Sequence, residues 1–179
     1  KTLRLSIDGG EQLNAMMQDG SHSMGGGSMM HGGMMMDASE DGIEWEDTSG
    51  MMNSMADSSM IDWKIIDDAT DKENNDIDDW QFEVGDVVKI RIINDENSPH
   101  PMQHPIHFHG QRFLVLDRDG VPETNFVWKD TVLVPAGESV DILLEITNPG
   151  EWMAHCHIAE HLEAGMMMPF TVQGESAVQ

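Results

Sequence analysis

Apolar and polar residues alternate one for one in several short stretches of this chain, and no long stripe at helical spacing interrupts them. Leu3 to Ile7 alternates in this way and reads as a short strand. From Trp63 onward the signals are β-like and stay so. Val87 to Ile93 sets Val and Ile against Lys and Arg, the pattern of a half-buried strand. Arg112 to Leu116, Thr131 to Val134 and Ser139 to Ile146 follow, another strand enters Glu151 to His157, and a last one runs about Met167 to Val172. Turn signals at Asp119-Gly120, Pro135-Ala136-Gly137 and Asn148-Pro149-Gly150 separate them. Many short strands at regular spacing predict an all-β sandwich.

Composition divides the chain. Residues 1–8 hold the first strand, and residues 9–60 are rich in Met, Gly, Ser and Asp with little apolar periodicity. Twelve of the 17 Met lie in that stretch, including Met34-Met35-Met36, so it cannot bury enough surface to offset its ordering entropy and reads as a flexible insertion. Residues 61–174 form the main β domain and 175–179 a tail. The formal charge of −24 argues against nucleic acid and anionic membrane surfaces, and favours cations or cationic partners. No apolar run approaches the length of a membrane span. A single Cys excludes an internal disulfide.

Chemistry concentrates in two segments. His155-Cys156-His157-Ile158-Ala159-Glu160-His161, followed by Gly165-Met166, gathers the only Cys, three His and a Met. On a strand, His155 and His157 point to one face and Cys156 to the other. One strand then feeds two metal sites joined through the Cys156 backbone. Cys with two His and a weak axial Met is the ligand set of a blue-copper centre, and Cys156, His161 and Met166 supply three of the four. The fourth has its candidate in His104-Pro105-Ile106-His107-Phe108-His109. There His107 and His109 share a face, and Pro105 is positioned to turn His104 towards a different site. A lone Cys is usually a small buried hydrophobe, and one His-x-His pair can be a zinc site; two such segments, both on apparent strands, point past both.

These motifs, His104-Pro105-x-His107-x-His109 and His155-Cys156-His157-x3-His161-x4-Met166, resemble the C-terminal copper motifs of multicopper oxidases, the laccase-like enzymes. The resemblance covers roughly Trp63 to Val172. It implies a Greek-key cupredoxin fold, with type 1 copper on His104, Cys156 and His161 and Met166 axial. It implies type 2 copper on His107 and the type 3 pair on His109, His155 and His157. Electrons would leave through Cys156 to His155 or His157, with an imidazole edge of His161 or His104 nearest solvent as their inlet. A short helical turn after His157, through Glu163, is compatible with His161 returning to the copper.

The family needs two further His-x-His pairs, from an N-terminal cupredoxin domain, to complete the type 2 and type 3 cluster. The unused His22, His31 and His100 form no such pair. The expectation is therefore a C-terminal oxidase domain completed by N-terminal domains or a second chain, reducing dioxygen to water at the expense of Cu(I), another low-valent metal or a phenol. A periplasmic or extracellular location goes with that reading, and the Met-rich stretch resembles the inserts of cuprous oxidases that serve copper tolerance. The alternatives are a single-copper electron carrier, a copper-binding or storage protein and a copper nitrite reductase-like protein. The first leaves four histidines without purpose, the second does not explain the Cys-centred motif, and the third normally lacks the histidine that follows Cys156 here.

Overall fold

A computed structural model describes residues 1–9, 61–96 and 102–174. The Met-rich stretch from Gly10 to Met60, His100 and the tail lie outside them. In chain order the elements are β1 (Thr2–Gly9), β2 (Ile61–Asp67), β3 (Lys72–Glu73), β4 (Gln81–Glu83), β5 (Val87–Asn94), β6 (His104–Phe108), β7 (Arg112–Arg118), β8 (Val121–Pro122), β9 (Thr131–Val134), β10 (Ser139–Glu145), β11 (Gly150–Cys156), α1 (Ala159–Glu163) and β12 (Met167–Gln173). A 3-10 turn, Asn74–Asp76, follows β3. The strands build a seven-stranded sheet in the order β3-β2-β1-β5-β10-β7-β8 and a five-stranded sheet in the order β4-β12-β11-β6-β9. The expected all-β sandwich is therefore the observed class.

Alternation decides which side of each strand is buried. In β5, Ile90 and Ile92 are inaccessible while Lys89 and Arg91 stay outside. Val140, Ile142 and Leu144 are likewise buried on the adjacent β10, where Asp141 between them is covered too, paired with Lys89 and Arg91, and so are Leu3, Leu5 and Ile7 on β1. The small sheet answers with Ile106, Phe108, Ala154, Cys156, Met168 and Phe170, and the two sets form one apolar cluster. Phe108 meets Phe113 of the large sheet edge to face at 5.9 Å, and each such ring contributes roughly 1.5–3 kcal/mol by leaving water.

The expected strand ends are met within one or two residues. β1 runs on to Gly9 because Gly9 pairs with Ile61 of β2. Asp119-Gly120 closes the β7–β8 hairpin as a two-residue turn with both residues at positive φ, 49° and 78°. Ordinary alternation, rather than Pro105, separates His104 from His107. Three positions apart on β6, they fall on opposite faces, and Pro105 keeps the strand's rhythm with its burial alternating to either side.

Two candidate metal centres on one strand

β11 is the pivot of the site. It pairs antiparallel with β6, setting Ala154 opposite Phe108, His155 opposite His107 and Cys156 opposite Ile106. Directly opposed residues bring their side chains within about 5 Å on a shared face, so the register itself puts His155 beside His107. The alternating partner, Cys156, faces the core.

On the inner side lie His104 from β6, Cys156 from the end of β11 and His161 from α1. All three are buried, His104 to 1% and His161 to 3% exposure. The Cys156 Sγ stands 3.7 Å from His104 Nδ1 and 3.5 Å from His161 Nδ1, and the two Nδ1 atoms are 3.2 Å apart. The point equidistant from these three atoms lies about 2 Å from each, in the range of first-row metal bonds to nitrogen and sulfur. Met166 is wholly buried at the foot of the same loop. Its carbonyl accepts from the Cys156 N–H at 3.1 Å, and its own N–H donates to the His161 carbonyl at 2.9 Å. The group is thus closed by backbone as well as by side chains.

Burial disfavours the charged forms of His104 and Cys156. Desolvation, helped by the charge of His161, lowers the His104 pKa to about 3. Desolvation pushes the Cys156 thiol up to about 11, against a weaker lowering by the Ile158 backbone. Two imidazole nitrogens and a sulfur converge here. A soft, positively charged ion that takes thiolate and imidazole fits such a set, and copper does so.

On the outer side, His107, His109 and His155 bring one ring nitrogen each within 4.8 Å of the others. His107 Nδ1 lies 2.9 Å from the Asp130 carbonyl, and His155 Nδ1 lies 2.7 Å from the Cys156 carbonyl. A carbonyl only accepts, so both Nδ1 atoms carry a proton, and in the neutral tautomers the lone pair of each ring lies on Nε2. Those lone pairs are what a metal would take, and backbone partners of this kind orient ligating imidazoles. His155 Nε2 and His109 Nε2 already stand 2.9 Å apart. The His109 pKa is lowered, mainly by burial and then by the charges of His107, His155 and His157. His157 lies at the margin of the cluster: it is exposed, and its ring sits 5.7 Å from that of His155 and 5.8 Å from that of His107.

Six of the eight residues read as ligands thus fall into the two three-residue clusters, Met166 is tied to the inner one through its backbone and His157 borders the outer. One expectation changes. Neither His104 nor His161 turns an edge to solvent, because the Trp63 ring lies against both. The supporting groups Trp63, Asp130 and Thr131 leave no local signal in the sequence, since packing of one sheet on the other brings Trp63 there and pairing of β9 with β6 brings the other two. Thr131 Oγ1 lies 3.0 Å from His107 Nδ1 because β9 pairs Thr131 with His107.

Residues 44–176 match the family model described as multicopper oxidase. The chain belongs to the multicopper oxidase family. The family implies copper, and the His and Cys clusters are its candidate ligands in this chain. An oxidoreductase of Pestalotiopsis microspora is 42% identical over 88 residues, covering 43% of this chain and 14% of its own length. An iron transport multicopper oxidase of Schizosaccharomyces pombe is 37% identical over 101 residues, covering 50% of this chain and 16% of its own. These matches therefore span about a sixth of such relatives. Among solved structures, a multicopper oxidase from Campylobacter jejuni, a metallo-oxidase, covers 98% of this chain and 30% of its own at TM-score 0.58 and 21% identity, a likeness of fold. A multi-copper oxidase from Pediococcus acidilactici covers 65% and 24% at TM-score 0.53 and 30% identity. The sandwich is cupredoxin-like. Among the described residues no helix is long and apolar enough to cross a membrane.

Proposed function

We propose that this chain is the C-terminal cupredoxin domain of a multicopper oxidase, in which the inner cluster holds the type 1 copper and the outer cluster half of a three-copper site for dioxygen. His104, Cys156 and His161 would hold the type 1 ion, with the Met166 thioether as a weak fourth ligand. His107 binds the type 2 ion, and His109, His155 and His157 the type 3 pair. The observation that carries this reading is the adjacency of Cys156 and His155. One peptide unit joins the two clusters, so Cys156, with His155 and His157 on either side of it, forms the electron path between them. Copper, when bound, supplies one-electron redox chemistry, and four such oxidations of a reductant balance dioxygen and four protons against two waters.

The chain's own residues divide the work. Cys156, His104 and His161 exclude water from the entry site. His107 and His155 present lone pairs fixed by the Asp130 and Cys156 carbonyls. The outer cluster is half-open, and its remaining ligands come from an N-terminal domain of the same polypeptide or from a second chain. The reductant is Cu(I), another low-valent metal or a phenol, and the enzyme works in the periplasm or outside the cell. Residues 1–8 and 61–174 make the domain, with 9–60 an insertion that handles copper and 175–179 a tail.

Elemental analysis of copper, on protein whose components have been identified by intact mass, tests the reading. About four copper ions per assembly containing a second domain, with copper-dependent oxygen consumption, is the expected result. One copper per chain with no oxygen consumption in the complete assembly would instead make this a single-copper electron carrier, a role the self-contained inner cluster could fill by itself.

A further inference from the structure

The inner cluster sets two imidazole nitrogens 3.2 Å apart beside a thiol. Without a metal, His104 Nδ1 and His161 Nδ1 share one hydrogen bond at most, and in the tautomers where neither carries the proton their lone pairs repel. Something outside the ligand set has to hold them in place. Trp63 of β2 stacks on the His161 ring at 3.8 Å between centroids and 20° between planes. The same indole meets the His104 ring edge-on at 5.1 Å and 71°. One side chain from a remote strand therefore braces both imidazoles.

The brace is itself fixed from both sides. The Trp63 N–H donates to the Ala164 carbonyl at 3.2 Å, tying β2 to the loop between His161 and Met166. The Trp63 carbonyl accepts from Asn74 Nδ2 at 3.0 Å, while Asn74 Oδ1 accepts from the Ile65 N–H at 2.7 Å. Asn74 also closes on that loop, since a Cβ added at Gly165 would lie 3.3 Å from its Nδ2. Trp63 is only 5% exposed, so its ring keeps water from the imidazole faces as well as holding them.

The geometry points to Trp63, bracketed by Asn74, as a positioning residue that presets the His104–His161 pair for copper and raises the reduction potential of the resulting site by keeping it dry. It rests on the proposed type 1 role of the inner cluster. Rigid, apolar surroundings favour the reduced, less charged ion, and residues beyond the ligands commonly orient them.

The test compares Trp63→Leu, Trp63→Phe and Asn74→Asp in the full-length protein by three measurements. In the copper-free form, proton NMR reads the ring-current shift of the His161 imidazole. In the copper-loaded form, electron paramagnetic resonance reads the site's symmetry and a redox titration its potential. Trp63→Leu should abolish the upfield His161 shift, alter the resonance line shape and lower the potential. Trp63→Phe, which restores an aromatic face, should recover most of all three. Asn74→Asp, which removes the donor to the Trp63 carbonyl, should shift the same signals in the same direction by less, and keeps the test alive if Trp63→Leu does not fold. Unchanged line shape, potential and His161 shift in the folded variants would overturn the role of Trp63. A wild-type protein that loads copper without a blue site would instead overturn the type 1 reading, with the NMR shift still reporting the stack.

Discussion

The two clusters of this chain use the same strands and nearly the same residue types, yet one is closed and the other open. His104 and His161 are buried to 1% and 3% exposure, whereas His157 is exposed and His107 and His109 are half-buried. The closed cluster draws on β6, β11 and α1 of this domain and on a brace from β2. The open one draws on β6, β11 and the loop beyond β6, and its supports are a carbonyl and a hydroxyl at the start of β9. The difference follows from the sandwich. Residues on the inner face of the small sheet are enclosed by the domain that carries them. On its outer face His155 alone of the four histidines is buried by this domain, at 6% exposure, and the other three stay partly or fully open. The cluster inside is complete within this domain, and the one on the surface is placed where a second domain, as proposed, could close it.

Breaking one cluster at a time separates the two most sharply. Cys156→Ser removes the thiolate from the closed cluster, and both the blue absorption and oxygen consumption should vanish. His157→Gln touches only the margin of the open cluster. It should leave the blue absorption intact while oxygen consumption falls, and should alter stability by no more than about 0.5 kcal/mol, as for surface positions generally. Absorption spectra, an oxygen electrode and thermal melts on the full-length protein read all of this. A Cys156→Ser protein that stayed blue would sink the assignment of the closed cluster.

A smaller effect reaches the open cluster through the backbone. Gly110 follows His109 with φ at +69°, and an added Cβ would lie 2.5 Å from the Trp152 ring. Gly110→Ala must therefore move the indole or the turn that carries His109. Overpacking of this kind costs roughly 1–3 kcal/mol. The melting temperature should drop by several degrees, with copper lost from the open cluster before the blue site. An unchanged melting temperature would show that the turn yields freely and does not set the His109 position.

Much of this was legible in the chain, because strand alternation is strong wherever one face is buried. Val87 to Ile93 was readable to within one residue of β5 (Val87–Asn94). The division of His155 and Cys156 between faces needs nothing beyond a period of two. β2 is harder, since Ile65, Ile66 and Asp67 are all buried and alternation fails. Asp67 is accommodated there because Trp80 Nε1 donates to its carboxylate at 2.7 Å, a partner set by tertiary packing. The same limit hid the brace. Nothing near Trp63 in sequence signals that its ring lies on His161, and nothing near His107 signals Asp130 or Thr131. Ligands spaced along one strand leave a local mark, while the residues that hold them arrive from other strands.

The mildest prediction concerns protons. In the metal-free protein burial holds the Cys156 thiol up at about 11, above its ordinary 9. The unfolded chain therefore ionises first, and the stability tied to this group is full below pH 9 and lost as pH rises through 11. His104 runs the other way. With its pKa near 3 rather than 6.5, its contribution is full above pH 6.5 and lost as pH falls through 3. Each slope is at most about 1.4 kcal/mol per pH unit, so metal-free stability should plateau between these limits, as denaturant melts at stepped pH would show. The same thiol proton must leave when copper binds the closed cluster. Copper affinity there should climb about tenfold per pH unit between 7 and 9, with one proton released per blue site formed. The open cluster has no thiol, and burial already keeps the pKa of His109 low, so its affinity should change far less over that range. Chelator competition followed by blue absorption for the first cluster, and by total copper for the second, compares them in one titration. Equal slopes would mean that the inner site releases no more protons than the outer, and that Cys156 is not the residue binding the ion.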